Sequence, residues 1–141
     1  MNTTCVSELT PESECISFGD GYTTVGKVIH VIDGDTLTIL FFSDECARIP
    51  LRHRVRLYGI DAPELRPRIS IDPESRKDII RRGELARDFL RDRVTDRVVR
   101  LDCHGVDSFG RILGTITCEG EDLNDTMVRM GHAVKWDPTR K

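Results

Sequence analysis

Three short runs hold residue types suited to phosphate chemistry. Asp33-Gly34-Asp35-Thr36 places two carboxylates at a tight turn, and Asp35 begins the strand-like run that follows, which gives its side chain a defined direction. Arg56-Leu57-Tyr58-Gly59-Ile60-Asp61-Ala62-Pro63-Glu64 closes an otherwise apolar run with charged groups. Asp107-Ser108-Phe109-Gly110-Arg111 is a turn that delivers an arginine to the start of a strand. Carboxylate oxygens are hard ligands for Ca2+ or Mg2+. Two arginines suit a phosphate whose charge rises in a transition state. A carboxylate beside a metal can direct a water, which completes a kit for metal-assisted phosphodiester hydrolysis. Each run also has an ordinary reading: a hairpin turn, a solvated strand end, a surface arginine. Spacing alone does not make them converge.

The elements that would position these runs follow from periodicity. Thr23 to Ile32 is rich in β-branched residues and reads as a strand, Asp33-Gly34 as a hairpin turn, and Thr36 to Phe42 as a second strand. Ser43 to Pro50 reads as a polar connection, and Arg54 to Ile60 as a third strand stopped by Pro63. On that strand Arg56 and Tyr58 share one face, and Leu57, Gly59 and Asp61 the other, unless a bulge near Gly59 re-aims its end. Leu65 to Arg82, with Pro67 and Pro73, reads as a large exposed loop, with room for a helical turn after Pro73. A helix over 83–95 carries an apolar stripe of Leu85, Ala86, Phe89 and Leu90. Strands over 98–103 and 111–118 and a short helix over 123–130, ended by Gly131, complete the chain. The order β-β-β-α-β-β-α fits several α+β arrangements. Among them, a mainly β fold, a five-stranded Greek-key OB-fold barrel with two helices, is the one expected.

The 141 residues make one domain, read as a flexible polar lead-in over 1–21 and a folded body over 22–141. The net charge of −3 hides an asymmetry: residues 1–47 carry −7, 48–100 carry +6 and 101–141 carry −2. Nearly all the middle bases are arginine, the side chain that grips phosphate with a planar fork, although a solvated charged helix reads the same. The longest apolar run, Ile39 to Phe42, is far too short for a bilayer, so no membrane role is expected. The N-terminus has neither a basic head nor an apolar stretch, so an intracellular protein is expected, with a virus-encoded origin left open. Five cysteines without a C-x-x-C pair suit neither a zinc site nor a disulfide framework, and Cys103 and Cys118 read as core residues. The four histidines lack ligand spacing and read as structural or surface residues.

Taken together, Val31-Ile32-Asp33-Gly34-Asp35-Thr36, the run Arg56 to Glu64, Asp107-x-Phe-Gly-Arg111, and Leu123-Asn124 with Val128-Arg129-x-Gly131-x-Ala133 resemble the staphylococcal nuclease (thermonuclease) family. The resemblance spans about Thr23 to Val134. It implies an OB-fold endonuclease that uses Ca2+ to hydrolyse DNA or RNA and leaves 3′-phosphates. Mapped by motif, Asp35, Asp61 and the carbonyl of Ala62 correspond to the metal ligands. Asp33 corresponds to a group that orders them, Glu64 to the general base, and Arg56 and Arg111 to the phosphate-gripping arginines. The charged set Asp35, Asp61, Glu64, Arg56 and Arg111 is complete.

Several positions depart from the family pattern. Ser108-Phe109 stands where the archetype has Lys-Tyr, and Phe109 is expected to stack on a base. The archetype's later tyrosine pair is absent, leaving Trp136 as the candidate replacement at the substrate. No counterpart of the archetype's third helix is expected after Trp136 within these residues. The arginine-rich 65–82 segment is expected to track a nucleic-acid backbone. A monomer is the default. The alternative reading is an OB-fold module that binds nucleic acid or protein with little or no turnover.

Overall fold

The computed structural model describes residue 7, residues 21–42 and residues 49–137. Most of the expected lead-in, the 43–48 part of the polar connection, and Cys5, Cys15 and Cys46 lie outside the described residues.

Five strands curl into a closed barrel. They are β1 (Thr23–Asp33), β2 (Thr36–Phe42), β3 (Pro50–Leu57), β5 (Val98–Val106) and β6 (Ile112–Cys118), with the two-residue β4 (Ile60–Asp61) following β3. The sheet runs β3-β2-β1-β5-β6 with antiparallel neighbours, and a parallel β3–β6 pairing joins its ends. Closure leaves no long edge for another chain to pair with. This is the OB-fold order expected from the sequence. The two-residue β7 (Glu121–Asp122) extends β6, and β8 (Val134–Lys135) pairs with β4.

Alternate residues of these strands fill the barrel. Val28, Leu37, Ile39, Val55, Leu101 and Ile116 are fully buried, which is the main source of stability in a domain this size. Cys103 and Cys118 are buried with them, and burial pushes the Cys103 thiol up to about 11, so it is inert. Helix α1 (Pro73–Val94) closes one end of the barrel through Gly83, Ala86, Leu90 and Val94. Helix α2 (Leu123–Arg129) packs Leu123 and Met127 inward, and Gly131 follows it at φ +78°, as its end signal predicted. Among the described residues no helix is long and apolar enough to cross a membrane.

Two expectations are corrected. Helix α1 starts at Pro73, not near Gly83, so only 65–72 of the expected arginine-rich loop lies outside the helix. Asp72 caps it by accepting from the Ser75 N–H at 3.0 Å, and Pro73 takes a first-turn position where no donor is needed. A helical glycine costs about 1 kcal/mol against alanine, so Gly83 inside the helix needs a reason. It is a seat. A Cβ there would lie 2.9 Å from the Pro63 carbonyl oxygen and 3.0 Å from that of Glu64. The buried stripe is therefore 83/86/90/94, while Leu85 is half exposed at a cleft beside Asp61.

Second, the third strand is not continuous to Ile60. It stops at Leu57, turns at Tyr58-Gly59 with Gly59 at φ +78°, and resumes as β4. Simple alternation therefore fails beyond Leu57, and the turn swings Asp61 back toward Arg56.

Candidate active site

Helix α1 is the platform on which two acidic segments meet. A Cβ on Gly34 would come within 2.6 Å of the Ala86 Cβ and 2.8 Å of the Ala62 Cβ, so only glycine lets the 33–35 turn settle there. Gly83 lets the 62–64 segment settle on the same helix. The two small residues on one helix face bring runs that are far apart in sequence to the same rim.

Asp35 is nearly buried and fully engaged. Its Oδ1 accepts from the Thr36 hydroxyl at 3.0 Å and its Oδ2 from the Ala62 N–H at 2.8 Å. Asp33 accepts from the Asp35 N–H at 3.0 Å, which locks the turn. Burial, together with the neighbouring Asp35 carboxylate, pushes Asp33 up to about 6.

Arg56 stands between the acids. Its Nη1 donates to the Leu57 and Ile60 carbonyls at 2.9 and 2.8 Å, which fixes the guanidinium across the Tyr58-Gly59 turn. It pairs with Asp35 at 3.5 Å and with Asp61 at 3.2 Å. Asp61 is half exposed, yet its carboxyl is raised by partial burial and by the charges of Asp35 and Glu64, which outweigh Arg56. Glu64 lies exposed just beyond Pro63. Asp33, Asp35, Asp61 and Glu64 therefore share one rim. Among the described residues, Arg56 is the only cation that pairs with Asp35 or Asp61.

Arg111 approaches from β6. Leu113 stands opposite Arg56, so Arg111, two residues earlier, shares that outward face. Its Nε donates to Asp107 at 2.8 Å and its backbone N–H to the same carboxylate at 2.9 Å, leaving both Nη groups for a ligand. Burial opposes charge on Asp107, but these bonds and one from the Phe109 N–H hold its carboxyl below the ordinary value. Ser108 and Phe109 are exposed at the tip of this turn, and the Arg111 guanidinium lies 5.5 Å from the Phe109 ring. Trp136 joins the site from the other side. Its backbone N–H donates to the Gly59 carbonyl at 2.9 Å, and its half-exposed ring lies 5.8 Å from the Arg56 guanidinium.

The structure thus brings Asp33, Asp35, Arg56, Asp61, Ala62, Glu64 and Trp136 to one rim. It places Ser108, Phe109 and Arg111 on the adjoining turn, without contact between Arg111 and those acids.

Residues 54–141 match the family model described as staphylococcal nuclease homologue. The chain belongs to that family. An Escherichia coli protein named "Uncharacterized endonuclease" is 31% identical over 77% of this chain and 58% of its own length. An Escherichia coli "Protein ParB" is 33% identical over 77% of the chain and 55% of its own length. A Staphylococcus hyicus "Thermonuclease" is 31% identical over 76% of the chain and 56% of its own length. The chain therefore spans a little over half the length of these curated relatives.

The motif that contains Asn124 carries the family resemblance, but its sequence gives that residue no role. Asn124, buried at the start of α2, donates to the Tyr58 and Gly114 carbonyls at 2.9 and 3.0 Å and accepts from the Ile116 N–H at 3.2 Å. It ties α2 to β6 and to the turn that re-aims Asp61. Its signal was an asparagine inside the first turn of a helix, where that side chain competes with the backbone unless it has a tertiary task.

Proposed function

We propose that this nuclease-family chain is a Ca2+-dependent hydrolase of phosphodiester bonds in DNA or RNA. The observation that carries this reading is the rim itself, where a fixed guanidinium faces a surplus of carboxylates, two of which, Asp33 and Asp61, are raised by burial and by their acidic neighbours. Such a surplus of hard oxygens fits a divalent cation. Asp35, Asp61 and the Ala62 carbonyl would hold it, and Asp33 would orient Asp35 through the hydrogen bond across the turn. Fewer than three carboxylates, histidines or cysteines gather closely enough to hold a metal by themselves among the described residues. That suits a site completed by a backbone carbonyl, water and substrate. When bound, the ion supplies Lewis-acid stabilisation of a phosphoryl oxygen.

The chain's own residues supply the rest. Glu64, exposed on the rim, takes a proton from the attacking water. Arg56 and the free Nη groups of Arg111 hold the non-bridging phosphate oxygens as charge grows on them. The 5′-oxygen leaves opposite the attacking water, and a 3′-phosphate remains. Trp136 and Phe109 present ring faces to the flanking bases.

The test is digestion of single- and double-stranded DNA and of RNA by the purified chain, in millimolar Ca2+ or in EGTA, with Glu64→Gln in parallel. Cleavage should require Ca2+ and fall about 10²–10⁴-fold in Glu64→Gln, with substrate binding kept. A folded wild type that binds but never cleaves would leave the binding-module reading in its place.

A further inference from the structure

Strand β3 alternates along its length. Val55 and Leu57 turn into the barrel, while Arg52 and Arg54 are exposed on the outer face that Arg56 also occupies. At about 3.3 Å per residue, same-face neighbours stand roughly 6.7 Å apart. Across the sheet, Arg54 lies opposite Thr38 and His30, and Arg52 opposite Leu40 and Lys27. Arg111, just before the partner of Val55, stands beside Arg54. Arg52, Arg54, His30, Thr38 and Gly110 line a groove of about 550 Å³ that runs away from the acidic rim. Among the described residues, Lys27, Arg52 and Arg54 form no ion pair, unlike most of the arginines of α1.

We propose that this row is a phosphate track for a single-stranded nucleic acid whose scissile bond lies at Arg56. The inference rests on the nuclease reading and adds where the rest of the strand lies. The groove is floored by β1, β2 and β3 and bounded by the 107–111 turn. One observation favours a single strand over a duplex. Phe109, three-quarters exposed at the rim of that turn, offers a stacking face that bases paired in a duplex cannot reach.

The test measures binding of a dinucleotide, a single strand of about eight nucleotides (within the site size of an OB fold) and a duplex. The full chain carrying Glu64→Gln is used in EGTA, so that nothing is cut. Salt dependence is compared with Arg52→Ala/Arg54→Ala added, and with Arg87→Ala/Arg91→Ala added as a charge-matched control on α1. Loss of two phosphate contacts should reduce the single-strand slope of log K against log salt by about 1.4. It should also shrink the affinity gained between the dinucleotide and the longer strand. The α1 pair should leave the slope in place, and Arg52→Lys/Arg54→Lys should restore it. Should the alanine variant lose its fold by circular dichroism, Arg52→Gln/Arg54→Gln carries the same test.

An unchanged slope overturns the track, as does an equal drop from the α1 control. An equal drop with duplex overturns the assignment to a single strand. Wild-type digestion separates the readings. A wild type that cleaves while its slope ignores Arg52 and Arg54 retires the track alone; a chain that neither cleaves nor binds retires both.

Discussion

The chain concentrates arginine in two places, helix α1 and strand β3, and surrounds it in opposite ways. On α1, Arg81 and Arg82 meet Asp78, Arg87 and Arg91 meet Asp88, and Arg93 meets Glu121. These pairs lie mostly one helical turn apart and are neutralised where they stand. On β3, Arg52 and Arg54 have no carboxylate partner among the described residues, and Arg56 faces more carboxylate than it can balance. A count of +6 over residues 48–100 merges the two regions. The period separates them. A helix brings i and i+4 together, so alternating signs cancel, whereas a strand sends i and i+2 to one face, so three arginines at alternate positions add. The first arrangement supports a helix, and the second has charge left for a ligand.

The contrast should show most in Arg56. Arg56→Lys keeps the charge but cannot reach the Leu57 and Ile60 carbonyls and the acids at once. Cleavage should fall about 10²–10³-fold, as for loss of one preorganised donor to a transition state, with little change in substrate Kd. A Lys variant that cleaves normally would mean that charge alone matters here, and the contrast with α1 would reduce to exposure. Next is the bracket that holds Arg56's turn in place. Asn124→Ala strands the buried Ile116 N–H and two carbonyls and should cost about 3 kcal/mol in urea unfolding. A loss below about 1 kcal/mol would show that water replaces the amide.

The acids facing Arg56 give a pH signature. Asp33 is raised from 3.8 to about 6 by burial and by Asp35. Its neutral form therefore favours the fold. That contribution is whole below about pH 4 and is lost as pH rises through about 6. In metal-free protein, Asp33→Asn should raise the urea midpoint near pH 7 and leave it almost unchanged near pH 4. An equal effect at both values would mean that crowding of carboxylates is not what loads this rim. On α1 the sign is reversed at Asp78, whose carboxyl the hydrogen bond from Arg81 and the charge of Arg82 hold below its ordinary value.

Much of this site was legible before any coordinates. The Asp33–Thr36 turn, the limits of β2 and the closing role of Gly131 follow from local chemistry that no tertiary contact overrides. Helix α1 begins ten residues before the expected 83, and Gly83 lies inside it to meet a tertiary demand, the approach of the Pro63 and Glu64 carbonyls, that propensity cannot register. The cap at Asp72-Pro73 was in plain sight, but an arginine-rich segment with two prolines outweighed it. The meeting of Arg56 with Asp35, Asp61 and Trp136 depends on a two-residue turn at Gly59 and a barrel closure, and neither has a local signal beyond the glycine. The β3 row was present in the sequence as Arg-His-Arg-Val-Arg and went unread because it lies partly outside the strand first assigned over 54–60.

The smallest expected effect tests the other half of the comparison. Arg91 donates to Asp88 at 3.5 Å, and Asp88 also accepts from Arg87 at 3.0 Å, with Arg91 and Asp88 about half exposed. Removing Arg91 leaves Asp88 a partner and takes one cation from the last turn of the helix. Arg91→Ala should therefore cost no more than about 0.5 kcal/mol in low salt and still less in high salt, where the pair is screened. A loss well above that, persisting in high salt, would mean that Arg91 contributes packing rather than charge. It would also mean that α1, like β3, holds arginines for a purpose their ion pairs do not reveal.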